Sequence, residues 1–290
     1  MSVLIVSASR RTDIPAFFSE WFYSRLRAGY LYVKNPFNPR QIKRVSLRKE
    51  DVTCFVFWTK NPEKFIERID ELAGYDYYFQ FTLTPYGNDA EPRLPEKEKL
   101  LECFIDLSRK IGKERIVWRY DPILVSKKYT QDFHFRMFEK FSERLANHAE
   151  KCVISFLDMY RNTQRNAGSL GLKEITVSES EEIAASLSKI AGKYGLRLEC
   201  CSEPHDFSRF SIPKAKCIDG ELIARISGKE LAFPKDKNQR KECGCASSVD
   251  IGAYNTCLHS CLYCYANYNP KAVLSNIKKH DPGSPLLLGK

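Results

Sequence analysis

Residues 54–85 read CFVFWTKNPEKFIERIDELAGYDYYFQFTLTP. Two apolar runs, Cys54–Lys60 and Tyr77–Thr84, flank the segment Pro62–Ala73. That segment carries proline in its first turn and Gly74 just past its end, the punctuation of a helix. Apolar runs without strict alternation are the pattern of strands buried on both faces of a parallel sheet. The unit therefore reads strand–helix–strand, with a crossover long enough for parallel pairing.

Outward from this unit the rhythm repeats. Further strands are expected at Val3–Ser9, Arg115–Pro122, Cys152–Met159, Gly195–Ser202 and, more weakly, Val249–Tyr254. Helices are expected at Ile14–Ala28, Pro95–Ile111, Asp132–Lys151 and Ser178–Tyr194. Tyr30–Leu47, with Pro36 and Pro39, breaks the rhythm and reads as a hairpin or loop insertion. Six or seven such units predict an α/β fold, a full or partial (β/α) barrel of about six to seven parallel strands. A doubly wound open sheet is the alternative. One barrel domain over residues 1–280 is expected, with a cysteine-rich region near 200–268 and a loosely ordered tail over 281–290.

Hydrophobic residues at 43% and charged residues at 28% place the 290-residue chain in the soluble globular class. No apolar run approaches the roughly 20 residues that span a bilayer. The apolar start precedes Arg10 and Arg11, the reverse of a secretory signal, so a cytoplasmic protein is expected. A net charge of +10 favours phosphate-bearing partners, nucleic acid among them. With eleven cysteines and a reducing setting, metal or iron–sulfur ligation explains the count better than disulfides. Cys54, Cys103 and Cys152 sit in apolar runs and read as small buried hydrophobes. The other eight all fall between Cys200 and Cys264.

Ligands of parallel α/β folds bind at the C-terminal strand ends. Here those ends carry Ser7, Ser9, Arg10, Arg11 and Asp13; Trp58, Thr59, Lys60 and Asn61; Thr82 and Thr84; Arg119 and Asp121; Asp158 and Arg161; and Cys201, Glu203 and His205. Singly these are turn or cap residues; six ends in succession predict one polar cavity for a charged ligand. Arg10, Arg11 or Arg119 could grip a carboxylate or phosphate bidentately, and Lys60 as a point charge. No glycine-rich dinucleotide fingerprint or phosphate loop follows a strand, which argues against NAD or ATP as the main cofactor.

The segment Cys257-Leu-His-Ser-Cys261-Leu-Tyr-Cys264 has the spacing CxxxCxxC. Three thiolates can hold three irons of a cubane cluster and leave the fourth iron open. Zinc stays open as an alternative, with His259 as a fourth ligand in principle, although its position is not a usual zinc spacing. With Tyr263 just before the last cysteine, the loop resembles the cluster loop of radical S-adenosylmethionine (SAM) enzymes. The resemblance implies a 4Fe–4S cluster on Cys257, Cys261 and Cys264, with SAM chelated at the open iron and Tyr263 near the cluster or the adenine. It implies reductive cleavage of SAM to a 5′-deoxyadenosyl radical that takes hydrogen from a substrate. An electron donor such as flavodoxin or ferredoxin is implied with it.

Almost end to end the chain also resembles a prokaryotic domain-of-unknown-function family, number eighteen-forty-eight. The resemblance rests on SASRRTDIPA (7–16), FWTKNP (57–62), Cys217-Ile-Asp-Gly-Glu, KNQRKECGC (237–245) and DIGAYNTCLHSCLYCYAN (250–267). In that comparison Cys201 fits better than Cys200, which would alternate to the other face as packing. Cys201, Cys217, Cys243 and Cys245 then form a candidate second site, an auxiliary 4Fe–4S cluster or a zinc.

The radical SAM loop normally follows the first barrel strand, whereas here it lies near the C-terminus. A circularly permuted barrel reconciles the two, with Val249–Tyr254 as the superfamily's first strand and Val3–Ser9 as its second. The permutation requires the two ends of the chain to be neighbours. It puts Ser7, Ser9, Arg10 and Asp13 near the methionyl end of SAM, where Asp13 could accept from the ammonium and Arg10 or Arg11 hold the carboxylate. The leading expectation is a radical SAM enzyme acting on an unknown substrate, with a nucleotide or nucleic acid favoured by charge. The rival is a non-catalytic zinc- or iron–sulfur-binding barrel that binds nucleic acid or another ligand. No catalytic residue is assigned.

Overall fold

Aromatic and β-branched residues fill the apolar runs and favour pleated, packed backbone. In the computed structural model, which describes residues 3–159 and 161–289, they form the strands β1 (Ile5–Ala8), β4 (Cys54–Thr59), β5 (Tyr77–Thr82), β6 (Ile116–Ile123), β7 (Lys151–Phe156), β8 (Arg197–Cys200) and β9 (Val249–Asp250). Their order in one sheet is β8-β7-β6-β5-β4-β1-β9, and every pairing is parallel. From β1 to β8 each strand is laid beside the last in one direction. That is the winding of a (β/α) barrel; a doubly wound sheet grows both ways from its middle. β9 returns to the free edge of β1. The edges β8 and β9 do not pair, so the barrel is partial and open. Residues 30–47 form a separate antiparallel hairpin, β2 (Tyr30–Lys34) and β3 (Ile42–Ser46).

The helices are α1 (Ile14–Phe17), α2 (Ser19–Ala28), α3 (Glu63–Ile66), α4 (Lys97–Ile111), α5 (Gln131–Leu145), α6 (Arg161–Leu170), α7 (Val177–Lys193), α8 (Gly220–Ser227) and α9 (Pro270–Ile277). The helix expected over Ile14–Ala28 breaks at Phe18, whose backbone leaves the helical region at φ −132°. The one expected over Pro62–Ala73 is α3 followed by a 3₁₀ turn at Ile69–Leu72. α5 stops at Leu145, short of Lys151, because Lys151 already begins β7.

Alternation along the strands sorts side chains onto two faces. Phe55, Phe57, Phe79, Phe81, Trp118 and Cys152 point outward to Trp21, Phe22, Phe65, Phe104 and Phe138 of the helices. Each fully buried aromatic of this layer contributes roughly 1.5–3 kcal/mol. Ile5, Cys54, Val56, Tyr78, Val117 and Val153 point inward and meet Ala215, Cys217, Ile218, Leu222 and Ile223. The segment carrying those residues fills the concave side of the sheet. Tyr78 Oη donates to Cys217 O (2.7 Å) and Lys151 Nζ pairs with Asp219 (2.9 Å) and Glu199 (3.2 Å) there. Two positions further along each strand the inward residues become Ser7, Trp58, Gln80, Arg119 and Ser155. The concave side is thus an apolar floor under a polar rim.

The tail expected to be loose is tied to the body. Trp21 Nε1 donates to Ser284 O (3.0 Å), Tyr32 N to Pro285 O (2.8 Å), and Leu286 and Leu287 are buried. Its apolar triplet outweighs its proline and glycine content. No helix among the described residues is long and apolar enough to cross a membrane.

His134 on α5 is fully buried, accepting from Tyr120 Oη (2.9 Å) and donating to Leu124 O (2.7 Å). Burial lowers it to about 4 from 6.5, against the carbonyl contact. Because the folded value is depressed, the unfolded chain takes up the proton first as pH falls. Stability should hold above pH 6.5 and drop by about 3 kcal/mol between there and pH 4. Urea unfolding across that range checks this: His134→Gln should flatten the dependence, and equal slopes for both proteins would refute it.

Candidate functional site

The loop after β1 turns into α1 at Asp13, whose Oδ1 caps the helix by accepting from Ala16 N (2.9 Å). Its Oδ2 accepts from Lys60 N at the end of β4 (2.7 Å) and from His259 Nε2 in the CxxxCxxC loop (2.8 Å). One buried carboxylate therefore joins three segments that are remote in sequence. Asp250 on β9 does likewise, accepting from Ser7 Oγ (3.0 Å), Ser9 Oγ (2.6 Å), Arg10 N (2.9 Å) and Gly252 N (3.0 Å). A Cβ on Gly252 would lie 2.0 Å from Ser9 Oγ, so only glycine lets β9 and the β1 loop approach this closely.

Past β9 the chain forms a loop closed by Asn255, whose Oδ1 accepts from Tyr268 N (2.9 Å) and Asn269 N (3.0 Å). Asn267 Nδ2 donates to Cys257 O (2.5 Å). This frame carries Cys257, Cys261 and Cys264 to the C-terminal ends of the strands. Burial raises all three thiols, Cys261 to about 12, so a metal would have to displace their protons. Tyr263 Oη donates to Glu91 and accepts from Lys60 Nζ (2.9 Å), and its ring meets Tyr86 edge-on. Glu91 is fully enclosed between Lys60 (2.7 Å) and Lys97, with Thr84 Oγ1 also donating to it (2.9 Å). Burial opposes ionisation of Glu91, but the two ammonium groups outweigh it and hold the carboxyl at about 2.

The second group of cysteines lies across the rim. Cys201 Sγ is 3.1 Å from Cys217 Sγ, Arg119 Nη1 donates to Cys217 Sγ (3.0 Å), and Ile218 N donates to Cys245 Sγ (3.3 Å). The thiols of Cys201 and Cys245 donate to Cys217 and, with Arg119 beside it, hold it well below the ordinary thiol range. Cys243 is lowered to about 6, first by the neighbouring Cys245 and against burial. Cys200 is buried in the outer core.

Both groups open onto one cavity of about 430 Å³. Its wall includes Ser9, Arg10, Arg11, Asp13, Lys60, Arg119 and Tyr263, with Cys257, Cys261, Cys264, Cys201, Cys217, Cys243 and Cys245, whereas Ser7, Asn61 and Thr84 of the expected strand-end residues lie outside it and the side chain of Arg161 is outside the described residues. Glu203 lines it too; burial, against a hydrogen bond from Phe156 N, raises it to about 7. His205 is exposed and lies outside the wall.

Three of these residues do not offer the free charge expected of them. Asp13 is satisfied by its protein donors, Lys60 is spent on Glu91, and Arg119 is paired with Asp121. Partners remote in sequence satisfy Asp13 and Lys60, and Asp121, two residues on, neutralises Arg119, in a site too enclosed to leave bare charges. Arg10 differs: its guanidinium lies against Trp58 (5.4 Å) and its Nη2 is buried without a partner. Arg11 lies over Tyr254 (5.3 Å). Asp250 and Glu91 hold the site together and were not singled out from the sequence; His259, read there only as a fourth zinc ligand in principle, holds it through Asp13. Asp250 and His259 lie within the distinctive 250–267 segment, whereas Glu91 sits in a polar loop with no signal.

Among the described residues, no three His, Cys, Asp or Glu side chains are gathered to hold a single metal ion. A cubane cluster places each thiolate on a different iron, so its ligands need not converge on one point. Three thiols from one loop, with the unpartnered His259 Nδ1 and Arg10 Nη2 on the same cavity wall, fit a cluster with a polar ligand beside it.

The sheet and the strand-end cysteine cavity define a partial (β/α)-barrel protein. The chain matches the family described as domain of unknown function (DUF1848) over residues 5–266 and belongs to that family. No curated protein matches it. Among solved structures it is similar to the GH20 catalytic modules of a pneumococcal exo-β-D-N-acetylglucosaminidase, at 10% identity over 69% of this chain and 53% of that one, TM-score 0.28. It is similar also to the Bacillus cereus enoyl-acyl carrier protein reductase, at 13% identity over 72% and 78% of the two chains, TM-score 0.24. The chain thus spans about half the length of the glucosaminidase chain. At these scores neither likeness bears on fold or chemistry.

Proposed function

We propose that this protein is a radical SAM-type enzyme whose 4Fe–4S cluster is held by Cys257, Cys261 and Cys264. The observation that carries the reading is the parallel pairing of β9 with β1, at Val6–Val249 and Ser7–Asp250. It makes β9 the strand before β1 in a permuted barrel and brings the cysteine loop to the polar rim. When bound, such a cluster with SAM at its open iron supplies the electron that cleaves SAM to a 5′-deoxyadenosyl radical.

The protein's own groups have separable tasks. Asp13 and Glu91 fix the cysteine loop through His259 and Tyr263. Arg10, with Nη2 free, is placed to hold a ligand carboxylate. Glu203 can hold or release a proton at the cavity wall near neutral pH. Cys201, Cys217, Cys243 and Cys245, beside Arg119, would hold a second cluster or a zinc. The cavity volume is in the range of small-molecule sites. The charge of +10 favours an anionic substrate, a nucleotide or nucleic acid. A cytoplasmic flavodoxin or ferredoxin suits the role of electron donor.

One observation favours the rival reading, a non-catalytic zinc-holding barrel. A histidine that donates one ring nitrogen to a carboxylate and leaves the other free, as His259 does, is oriented as metal-binding histidines are. Anaerobic reconstitution with iron and sulfide separates the two. The cluster reading expects Cys257→Ala/Cys261→Ala/Cys264→Ala to lose about four irons and four sulfides relative to the parent. Tight zinc with no acid-labile sulfide would overturn it.

A further inference from the structure

Residues 30–49, YLYVKNPFNPRQIKRVSLRK, contain six cations and no acid. Among the described residues no carboxylate pairs with Lys34, Arg40, Lys43, Arg44, Arg48 or Lys49. The partners seen are neutral: Lys34 Nζ donates to Leu288 O (3.3 Å), and Lys49 lies over the Tyr75 ring (5.5 Å). In the barrel, by contrast, the buried cations Lys60, Arg119 and Lys151 each have an acid.

The register of the hairpin sorts these residues. Tyr30, Tyr32 and Lys34 face Ser46, Arg44 and Ile42 across the strands and share one side. Leu31 and Val45, paired on the other side, are buried in the core and anchor the arm. On the open side Tyr30 and Tyr32 meet edge to face at 5.7 Å, and the Arg44 guanidinium lies 4.6 Å over Tyr30. At the tip Phe37 is 91% exposed. The turn presenting it is held by Asn35, whose Oδ1 accepts from Phe37 N (2.9 Å) and whose N donates to Gln41 O (2.9 Å). An aromatic ring displayed on a pinned turn loses little entropy when something stacks on it.

We propose that the β2–β3 hairpin binds single-stranded nucleic acid, with Arg40 and Arg44 on phosphates and Phe37 and Tyr32 against bases. Alternating cations and ring faces on one strip match a chain of phosphates and bases. An acidic protein surface would use the cations and leave the rings idle. An anionic membrane would call for a continuous apolar face, whereas the large apolar side chains exposed on the hairpin are Phe37 and Ile42, set among cations. The inference does not rest on the cluster, so its test and that of the enzyme reading fail separately.

The test is fluorescence anisotropy of the full chain with a labelled oligothymidylate of about fifteen nucleotides, within the range of single-strand site sizes, over a series of KCl concentrations. The expected result is salt-sensitive binding. Arg40→Gln/Arg44→Gln should lower the slope of log affinity on log salt by about 1.4, roughly 0.7 per lost contact. Phe37→Ala should weaken binding about tenfold at unchanged slope. Lys64→Gln/Lys110→Gln, which removes the same charge from exposed helical positions elsewhere, should change neither. Equal effects of the hairpin and control pairs would overturn the proposal. So would failure to bind the oligonucleotide, with or without capture of phosphatidylserine vesicles or of an acidic protein.

Discussion

Asp13→Ala is expected to destabilise the protein by about 3–6 kcal/mol. The buried carboxylate satisfies Ala16 N, Lys60 N and His259 Nε2, all at hydrogen-bond distance, the last of them buried and the other two partly so. Each donor left unpaired costs roughly 1–3 kcal/mol. Against a total stability of about 5–15 kcal/mol, that is a large share. The loss also has a direction, because the freed His259 no longer holds the cysteine loop against the β1 loop. Asp13→Asn should cost less, since its carbonyl can still cap α1 while its amide faces the other two donors. Urea unfolding of the three proteins gives the ranking parent, Asn, Ala. An alanine variant within about 0.5 kcal/mol of the parent, the range of ordinary surface changes, would show that Asp13 is not the joint described here.

The architecture was legible because of how the strands are buried. Cys54–Thr59 and Tyr77–Thr82 are apolar on both faces at their lower ends, so they stand out as continuous runs. The same burial hid the alternation that separates Val56 on the floor from Phe57 in the outer layer. The cysteine loop was legible from spacing, which is local. The neutralisation of Lys60 was not, since Glu91 lies 31 residues away in a loop without pattern. The partner of Arg119 is Asp121, two residues on and on the same face of β6, a pairing that period-two reading does predict. The segment that fills the concave side has no amphipathic period before α8, because it is shaped by what it plugs. The loosely ordered tail was read from proline and glycine, while Leu286 and Leu287 were the signal that mattered.

Under the proposed reading the cysteine loop has a role beyond that of a folding staple. Its three thiols line a cavity bordered by Arg10, whose Nη2 has no partner, and by Glu203, which accepts from Phe156 N. A cluster held by three thiolates keeps one iron open to exchangeable ligands, whereas a four-ligand structural site is closed. Removing Cys261 should therefore abolish the cluster signal itself, a complete effect, while leaving much of the fold, since the loop is also held by Asn255, Asn267 and Asp13.

The most direct test is EPR of the anaerobically reconstituted, dithionite-reduced protein, recorded with and without SAM. The account predicts a 4Fe–4S signal that changes on adding SAM and is missing, with its SAM response, in Cys261→Ala. A signal indifferent to SAM, or one that survives Cys261→Ala unchanged, would contradict it.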